Sequence, residues 1–391
     1  MTTPEPPQVP EFTLDHRWTA LDGDLDRLKI ILERYTSERV LVVTGGASYE
    51  RSGASSTIDR FVADRVHDSY RGVTANPTLD DVEDLASTIR AFEPNIIVAV
   101  GGGSVIDLAK TSRVVATSDI DPQVLVTSST GPLGPTIPLV AVPTTAGSGA
   151  EATQFAVVYV DGVKFSVSEP TLRPDEAIVD PTLTYSLPPD ITASTGLDAL
   201  SQAIESIWSV GSTLESMTAA RRALLLGLDA IETAVSRPDP TSRRTMMEAA
   251  HLAGVAIDTT RTTAAHALSY TLTAEFGVPH GHAVALFLGA VLEYNANTKP
   301  ADCIDPRTAG HTRGVTMLVI DALGATDAAS ARARWEDLVR SVGLPATLDE
   351  VGAGSVAARR HIVESVNVER LANNPRRFTP ETLEVLVASI P

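Results

Sequence analysis

The chain has 391 residues, enough for about two domains that each bury a core. Its formal charge of −18 opposes nucleic acid or an anionic membrane as partner, because a phosphate surface attracts basic groups. The single cysteine, Cys303, excludes an internal disulfide and a cysteine zinc cluster, and the longest apolar stretch, residues 283–291, is far shorter than a membrane span.

Residues 1–11 are rich in Pro and Thr and read as a loose tail. They lack the basic start and apolar core of a signal peptide, so the expected compartment is the cytoplasm. From Arg39 onward, strand-like runs alternate with helical patterns. Residues 40–43 read as a strand, and helices are expected around 55–65 and over 79–92. The apolar run 95–100 leads into Gly101-Gly102-Gly103-Ser104 and a helical stretch over 105–115. A second strand, 138–142, leads into Thr144-Thr145-Ala146-Gly147-Ser148-Gly149. Two runs joined by Asp161-Gly162 predict a hairpin, and residues 176–180 predict a last strand. This alternation predicts a dinucleotide-binding α/β domain with a parallel sheet over residues 12–185. Strand signals nearly vanish past residue 190. Helical patterns over 199–208, 215–235, 243–257, 282–295 and 328–342 predict an all-α domain over 186–391. Ligands are then expected in the cleft between the two.

The glycine turns carry the first chemical signal. Between a strand and a helix, Gly101, Gly102 and Gly103 let the backbone approach a pyrophosphate, while Ser104 and the free helix amides donate to it. Thr144, Thr145 and Ser148 occupy the equivalent places in the second turn. One such turn is a weak signal, and two about forty residues apart are stronger. At the first strand's end, Gly45, Gly46 and Ser48 stand where a carboxylate would bind an adenosine ribose and repel a 2′-phosphate. With no acid there, NADP(H) is open beside NAD(H), and Ser48 is a donor for the extra phosphate.

A second signal lies downstream. Asp198 and Gln202 are four residues apart and share a helical face. A turn through Gly277-Val278-Pro279 brings His280 back toward His266. Imidazole and carboxylate suit zinc or ferrous iron, and a divalent ion so held polarises a carbonyl. Spacing alone does not establish a metal.

These residues resemble the iron-containing, or group III, alcohol dehydrogenases over nearly all of the chain after residue 40. The matching motifs are Gly101 to Asp107, Pro143 to Glu151, Gly196-Leu197-Asp198-Ala199-Leu200, and His266-Ala267-Leu268 with Pro279-His280-Gly281. The resemblance implies a Rossmann-like N-terminal domain followed by an all-α C-terminal domain, the dehydroquinate synthase-like architecture. It also implies NAD(P)(H), one divalent metal (Fe2+ or Zn2+), hydride exchange with an alcohol or aldehyde carbon, and a homodimer. Asp198, His266 and His280 match metal ligands, the glycine turns match phosphate contacts, and Asp107 and Lys164 match residues near the cofactor.

Two positions depart from the family pattern. Gln202 replaces the usual histidine ligand, so either its amide oxygen ligates, or water or His282 completes the shell, or the metal has been lost. Tyr270 replaces a second histidine often drawn as proton relay, which leaves Tyr270 and His282 as proton-transfer candidates. Residues 185–189, 193–206, 266–270 and 373–376 resemble the phosphonoacetaldehyde reductase branch, which is similar to dehydrogenases that oxidise a C-terminal threonine of a ribosomal peptide. The substrate is therefore expected to be a small aldehyde or alcohol, or alternatively a peptide C-terminus. An anionic aldehyde needs cations at the cleft, for which Arg243, Arg244, Arg261, Arg376 and Arg377 are candidates. A metal-free binding pseudoenzyme and a sugar-phosphate cyclase of related fold are the competing classes.

Overall fold

The computed structural model describes residues 24–128, 133–366 and 368–391, so the tail expected over 1–11 lies outside the described residues. Five strands form one parallel sheet: β1 (Arg39–Gly45), β2 (Val66–Val73), β3 (Ile96–Gly101), β4 (Leu139–Pro143) and, last in the sequence, β7 (Glu176–Ala177). Their spatial order is β2-β1-β3-β4-β7. Alternate residues of the inner strands face different cores. Leu41, Val43, Ile97 and Ala99 join one cluster, and Val40, Val42, Ile96 and Val98 the other. Both faces are covered, which is why these strands read as continuous apolar runs.

The remaining two strands, β5 (Phe155–Val160) and β6 (Val163–Ser168), make the expected antiparallel hairpin. Its turn uses Asp161 and Gly162, both at positive φ (50° and 79°). β2 escapes sequence reading because it is a polar edge strand whose His67, Asp68, Ser69 and Arg71 are largely exposed. The expected strand 176–180 is shortened to two residues. Asp180 accepts hydrogen bonds from Thr182 N and Leu25 N, which turns the chain out of the sheet.

Beyond residue 188 the described chain is helical, and one apolar core runs through it. The first long helix starts at Pro189 and ends at Trp208, well before the start its sequence suggests. Gly196 sits inside this helix, where a Cβ would come within 3.0 Å of Met246 Cε, so the glycine serves close helix packing. Further helices include Leu214–Ser236, Pro240–Thr260, Ala264–Glu275, His280–Ala296 and Ala328–Ser341. No described helix is long and apolar enough to cross a membrane.

Candidate active site

The two glycine turns end β3 and β4 side by side, and Thr144 N donates to Gly101 O at 3.0 Å between them. Gly102 precedes the Gly103–Thr117 helix, whose first amides are free of side-chain caps. A Cβ on Gly103 would come 2.7 Å from Ser148 Oγ and 3.1 Å from Ser148 Cβ, so the two turns touch at this glycine. Between these turns and the helical lobe opens a cavity of about 590 Å³. Gly45, Ser48, Gly102, Gly103, Ser104, Thr145 and Ser148 reach its wall. Gly46, Gly101 and Thr144 do not: Gly101, at the end of β3, and Thr144, just past β4, are buried and paired with each other, and Gly46 is exposed ahead of the short Ala47–Arg51 helix.

Asp107 reaches the wall but is engaged by the protein. Its Oδ2 accepts the Val157 N–H at 3.0 Å, and its Oδ1 lies 3.8 Å from Lys110 Nζ. Burial raises its carboxyl to about 6, against the pull of Lys110. Lys164, on β6, places Nζ 4.4 Å from the centroid of the Tyr270 ring. Burial lowers its ammonium to about 8, with Asp198 and Asp107 pulling the other way and Arg370 adding to the fall.

At the other end of the cavity, Asp198, His266 and His280 offer ligand atoms within 4.8 Å of one another. They arrive from three helices, Pro189–Trp208, Ala264–Glu275 and His280–Ala296. The turn between the last two uses Gly277 at a φ of 67°, and Val278 N bonds back to Leu272 O. Gly281 then lets the third helix lie against the first. A Cβ there would sit 2.0 Å from Ser194 O and 2.6 Å from Asp198 Cβ. Gly281→Ala is therefore expected to displace His280 from Asp198, lower stability by at least about 1–3 kcal/mol and lose metal binding. Thermal unfolding with and without added Zn2+ measures both.

Glu205 is one of two site residues that sequence reading misses. It is fully buried one helical turn beyond Gln202. Its Oε1 accepts from Thr263 Oγ1 and Ala265 N, each at 2.8 Å, and its Oε2 accepts from Thr263 N at 3.0 Å and from His266 Nδ1. Burial opposes its charge, but His266 and these donors hold the carboxyl below the usual range. His266 Nε2 is thereby turned to the cluster, 3.3 Å from Asp198 Oδ1. Burial works against a charged His266, yet Glu205 and Asp198 raise it to about 9. His280 is the opposite case: burial, reinforced by Lys164 and His266, pushes it down to about 3, so its imidazole is neutral near pH 7.

The donor set fits a divalent cation. Gln202 Oε1 and His280 Nδ1 are buried and, among the described residues, have no hydrogen-bond partner, while buried Asp198 Oδ1 has only the 3.3 Å contact with His266 Nε2. Each such orphan costs about 1–3 kcal/mol, and a cation of the zinc or ferrous type would relieve them together. Gln202 Nε2 meanwhile donates to Asp198 Oδ2 at 3.2 Å and to Ser148 O at 3.4 Å, tying the second glycine turn to the cluster.

Tyr270 and His282 fare differently. Tyr270 lines the cavity, its ring 6.4 Å from that of His280, and burial raises its hydroxyl above the ordinary range. His282 is absent from the wall, and its Nε2 bonds Pro345 O at 2.6 Å. Two residues along a helix turn through about 200°, so His282 points away from the side that carries His280. Among the five arginines expected at the cleft, only Arg261 reaches the wall. Arg243 bonds Thr192 Oγ1 and Leu187 O, and Arg376 bonds Asp302 and Tyr294 O. The cavity's further guanidinium is Arg370, unsuspected from sequence.

A parallel sheet with paired phosphate turns, facing a helical lobe with a His/carboxylate cluster, defines the class of two-lobed, metal-assisted dinucleotide oxidoreductases. Comparison with known proteins carries the assignment further. Residues 18–181 match the model of the iron-containing alcohol dehydrogenases, and residues 192–390 match the C-terminal model of the Fe-containing alcohol dehydrogenase family. This chain belongs to the iron-containing alcohol dehydrogenase family and is an alcohol dehydrogenase-type oxidoreductase. It is 38% identical over 317 residues to phosphonoacetaldehyde reductase of Streptomyces viridochromogenes, covering 78% of each chain. A 1-propanol dehydrogenase of Citrobacter freundii is 29% identical, covering 97% of this chain and 99% of the relative. Among solved structures, sulfoacetaldehyde reductase from Bifidobacterium kashiwanohense in complex with NAD+ superposes with a TM-score of 0.82 at 29% identity, covering 95% and 99% of the two chains.

Proposed function

We propose that this enzyme reduces a small anionic aldehyde, with phosphonoacetaldehyde the best candidate, using NAD(P)H and a divalent cation. The observation that carries the reading is the convergence of the Asp198, His266 and His280 ligand atoms, with the unpartnered Gln202 Oε1 and His280 Nδ1, on the same cavity that the glycine turns open into. The phosphonate preference draws support from the 38% relative, and the likeness to a sulfoacetaldehyde reductase is of the same chemical kind. The peptide-oxidising alternative draws none from the relatives named above.

In this reading the cation supplies Lewis acidity to a carbonyl, and the nicotinamide supplies hydride. The chain's own residues do the rest. Asp198, His266 and His280 hold the cation, and Glu205 fixes the His266 ring so that Nε2 faces it. Amides at Gly103 and Ser104 and the Ser148 hydroxyl hold the pyrophosphate. Tyr270 lines the cavity protonated at neutral pH, as any tyrosine is; burial raises its hydroxyl and Arg370 works against that rise, and it is the candidate proton donor to the forming alcohol.

The test is NADPH and NADH consumption by the purified protein, made anaerobic with ferrous iron or zinc, against phosphonoacetaldehyde beside simple aldehydes. Metal-dependent turnover that favours the phosphonate supports the proposal, and turnover of the simple aldehydes alone refutes the substrate. For Gln202, replacement by His is expected to tighten Zn2+ or Fe2+ by on the order of tenfold, because imidazole is the stronger donor. An unchanged metal titration would remove Gln202 from the ligand set.

A further inference from the structure

Arg370 lies on the short helix Val368–Leu371, which packs against the Ala264–Glu275 helix that carries His266 and Tyr270. Its side chain is partly buried and lines the cavity. Among the described residues it makes no ion pair and no hydrogen bond, although acidic residues outnumber basic ones by 49 to 31. Other arginines of the chain with partly buried side chains have partners: Arg307 reaches Asp305, Arg332 reaches Glu293 and Glu336, and Arg376 reaches Asp302. Lys164 lines the same cavity and lies over the Tyr270 ring, and like Arg370 it has no carboxylate within ion-pair distance among the described residues. Asp107, Asp190 and Asp198 also line the cavity, but Lys164 feels Asp198 and Asp107 only beyond ion-pair distance, and the two cations repel each other, so an anion entering between them becomes favourable.

The position in the cavity says which anion. The cofactor's phosphates have their own donors at the glycine turns. Arg370 is instead packed beside the helix of His266 and Tyr270, and the Tyr270 ring is 6.4 Å from that of His280. A guanidinium offers a planar fork of donors to two oxygens of one group, whereas an ammonium acts as a point charge. Resting on the function proposed above, we infer that Arg370, with Lys164 beside it, forms an oxyanion subsite that takes the phosphonate of the substrate and so directs the aldehyde toward the Asp198, His266 and His280 cluster. The subsite takes tetrahedral oxyanions as a class, and a sulfonate competes at lower charge. Energy from the anion, remote from the reacting carbon, is then used to orient it, so the subsite acts on kcat as well as on KM.

The experiment compares the metal-loaded wild type with Arg370→Gln and Arg370→Lys. Methylphosphonate, methanesulfonate and inorganic phosphate are titrated into the enzyme–NADPH complex by calorimetry. In parallel, kcat/KM for phosphonoacetaldehyde is divided by that for a neutral aldehyde of similar size. Methylphosphonate is expected to bind the wild type and compete with substrate. Arg370→Gln is expected to weaken it, and to lower the selectivity ratio, by about 10- to 100-fold, the range for a charge-assisted contact. Arg370→Lys is expected to recover part of the loss, which also guards against a simple folding defect. Unchanged methylphosphonate affinity and selectivity in Arg370→Gln would overturn the subsite, as would a matching loss of NADPH affinity, which would make Arg370 a cofactor contact. If wild-type enzyme binds methylphosphonate through Arg370 but leaves phosphonoacetaldehyde unreduced, the substrate named above is wrong and the subsite stands.

Discussion

Replacing His280 with alanine is expected to abolish aldehyde reduction while NAD(P)H still binds. Asp198, His266 and Gln202 remain, but the site loses a neutral imidazole whose Nδ1 has no partner among the described residues. Removal of such a side chain strands no other polar group, so the fold should survive. A cation acting as Lewis acid contributes several kcal/mol to the barrier, and at 1.4 kcal/mol per tenfold its loss lowers kcat by about 1,000-fold or more. The checks are metal content of the purified variant, its unfolding temperature, its NADPH dissociation constant and its turnover. Unchanged turnover would refute the assignment of His280 to the metal.

Glu205→Gln is expected to weaken metal binding and destabilise the protein together. The substitution keeps the volume but exchanges one acceptor oxygen for an NH2 group, and both oxygens of Glu205 face donors. Two donors then meet in a fully buried place. Breaking a buried charge pair of this kind costs about 3–5 kcal/mol. Loss of the carboxylate behind a metal-binding histidine typically costs 10- to 100-fold in metal affinity. Denaturant unfolding and a Zn2+ titration read the two effects separately. Lower stability with unaltered Zn2+ affinity would confine Glu205 to tying down the start of the Ala264–Glu275 helix. Because its carboxyl is held below the usual range in the folded state, the stability it contributes is present above that range and is lost as pH falls through the depressed value.

Local pattern carried far in this chain. One glycine turn between an apolar run and a helical run often serves only tight packing, but two of them are a stronger signal, and Asp198 and Gln202 at a four-residue spacing share a face however the chain folds around them. The same logic extended one turn would have reached Glu205, seven residues past Asp198 and on that face. It went unread because a glutamate on a helix is ordinarily solvated, and only the tertiary fold brings Thr263, Ala265 and His266 onto it. His282, a candidate for the shell and for proton transfer, lies off the wall for the converse reason: a two-residue step from His280 on a helix reverses direction. The arginines were the least legible. Charge alone does not tell Arg243, buried against Leu187 O and Thr192, from Arg370, turned into the cavity. Polar edge strand β2 lacks the continuous apolar run that reveals its neighbours.

The second glycine turn meets the helical lobe main chain to main chain. A Cβ on Gly149 would come within 2.4 Å of Gly254 Cα, and one on Gly147 within 3.1 Å of Thr195 Cα, one turn before Asp198. The separation between the second glycine turn and the Asp198, His266 and His280 cluster is therefore set largely by close backbone approach. Residues around the substrate can then change without altering the reach of the hydride. An arrangement of that sort separates the part of the machine that must stay fixed from the part that evolution can vary, and relatives named for 1-propanol, phosphonoacetaldehyde and sulfoacetaldehyde on one scaffold are what it would allow.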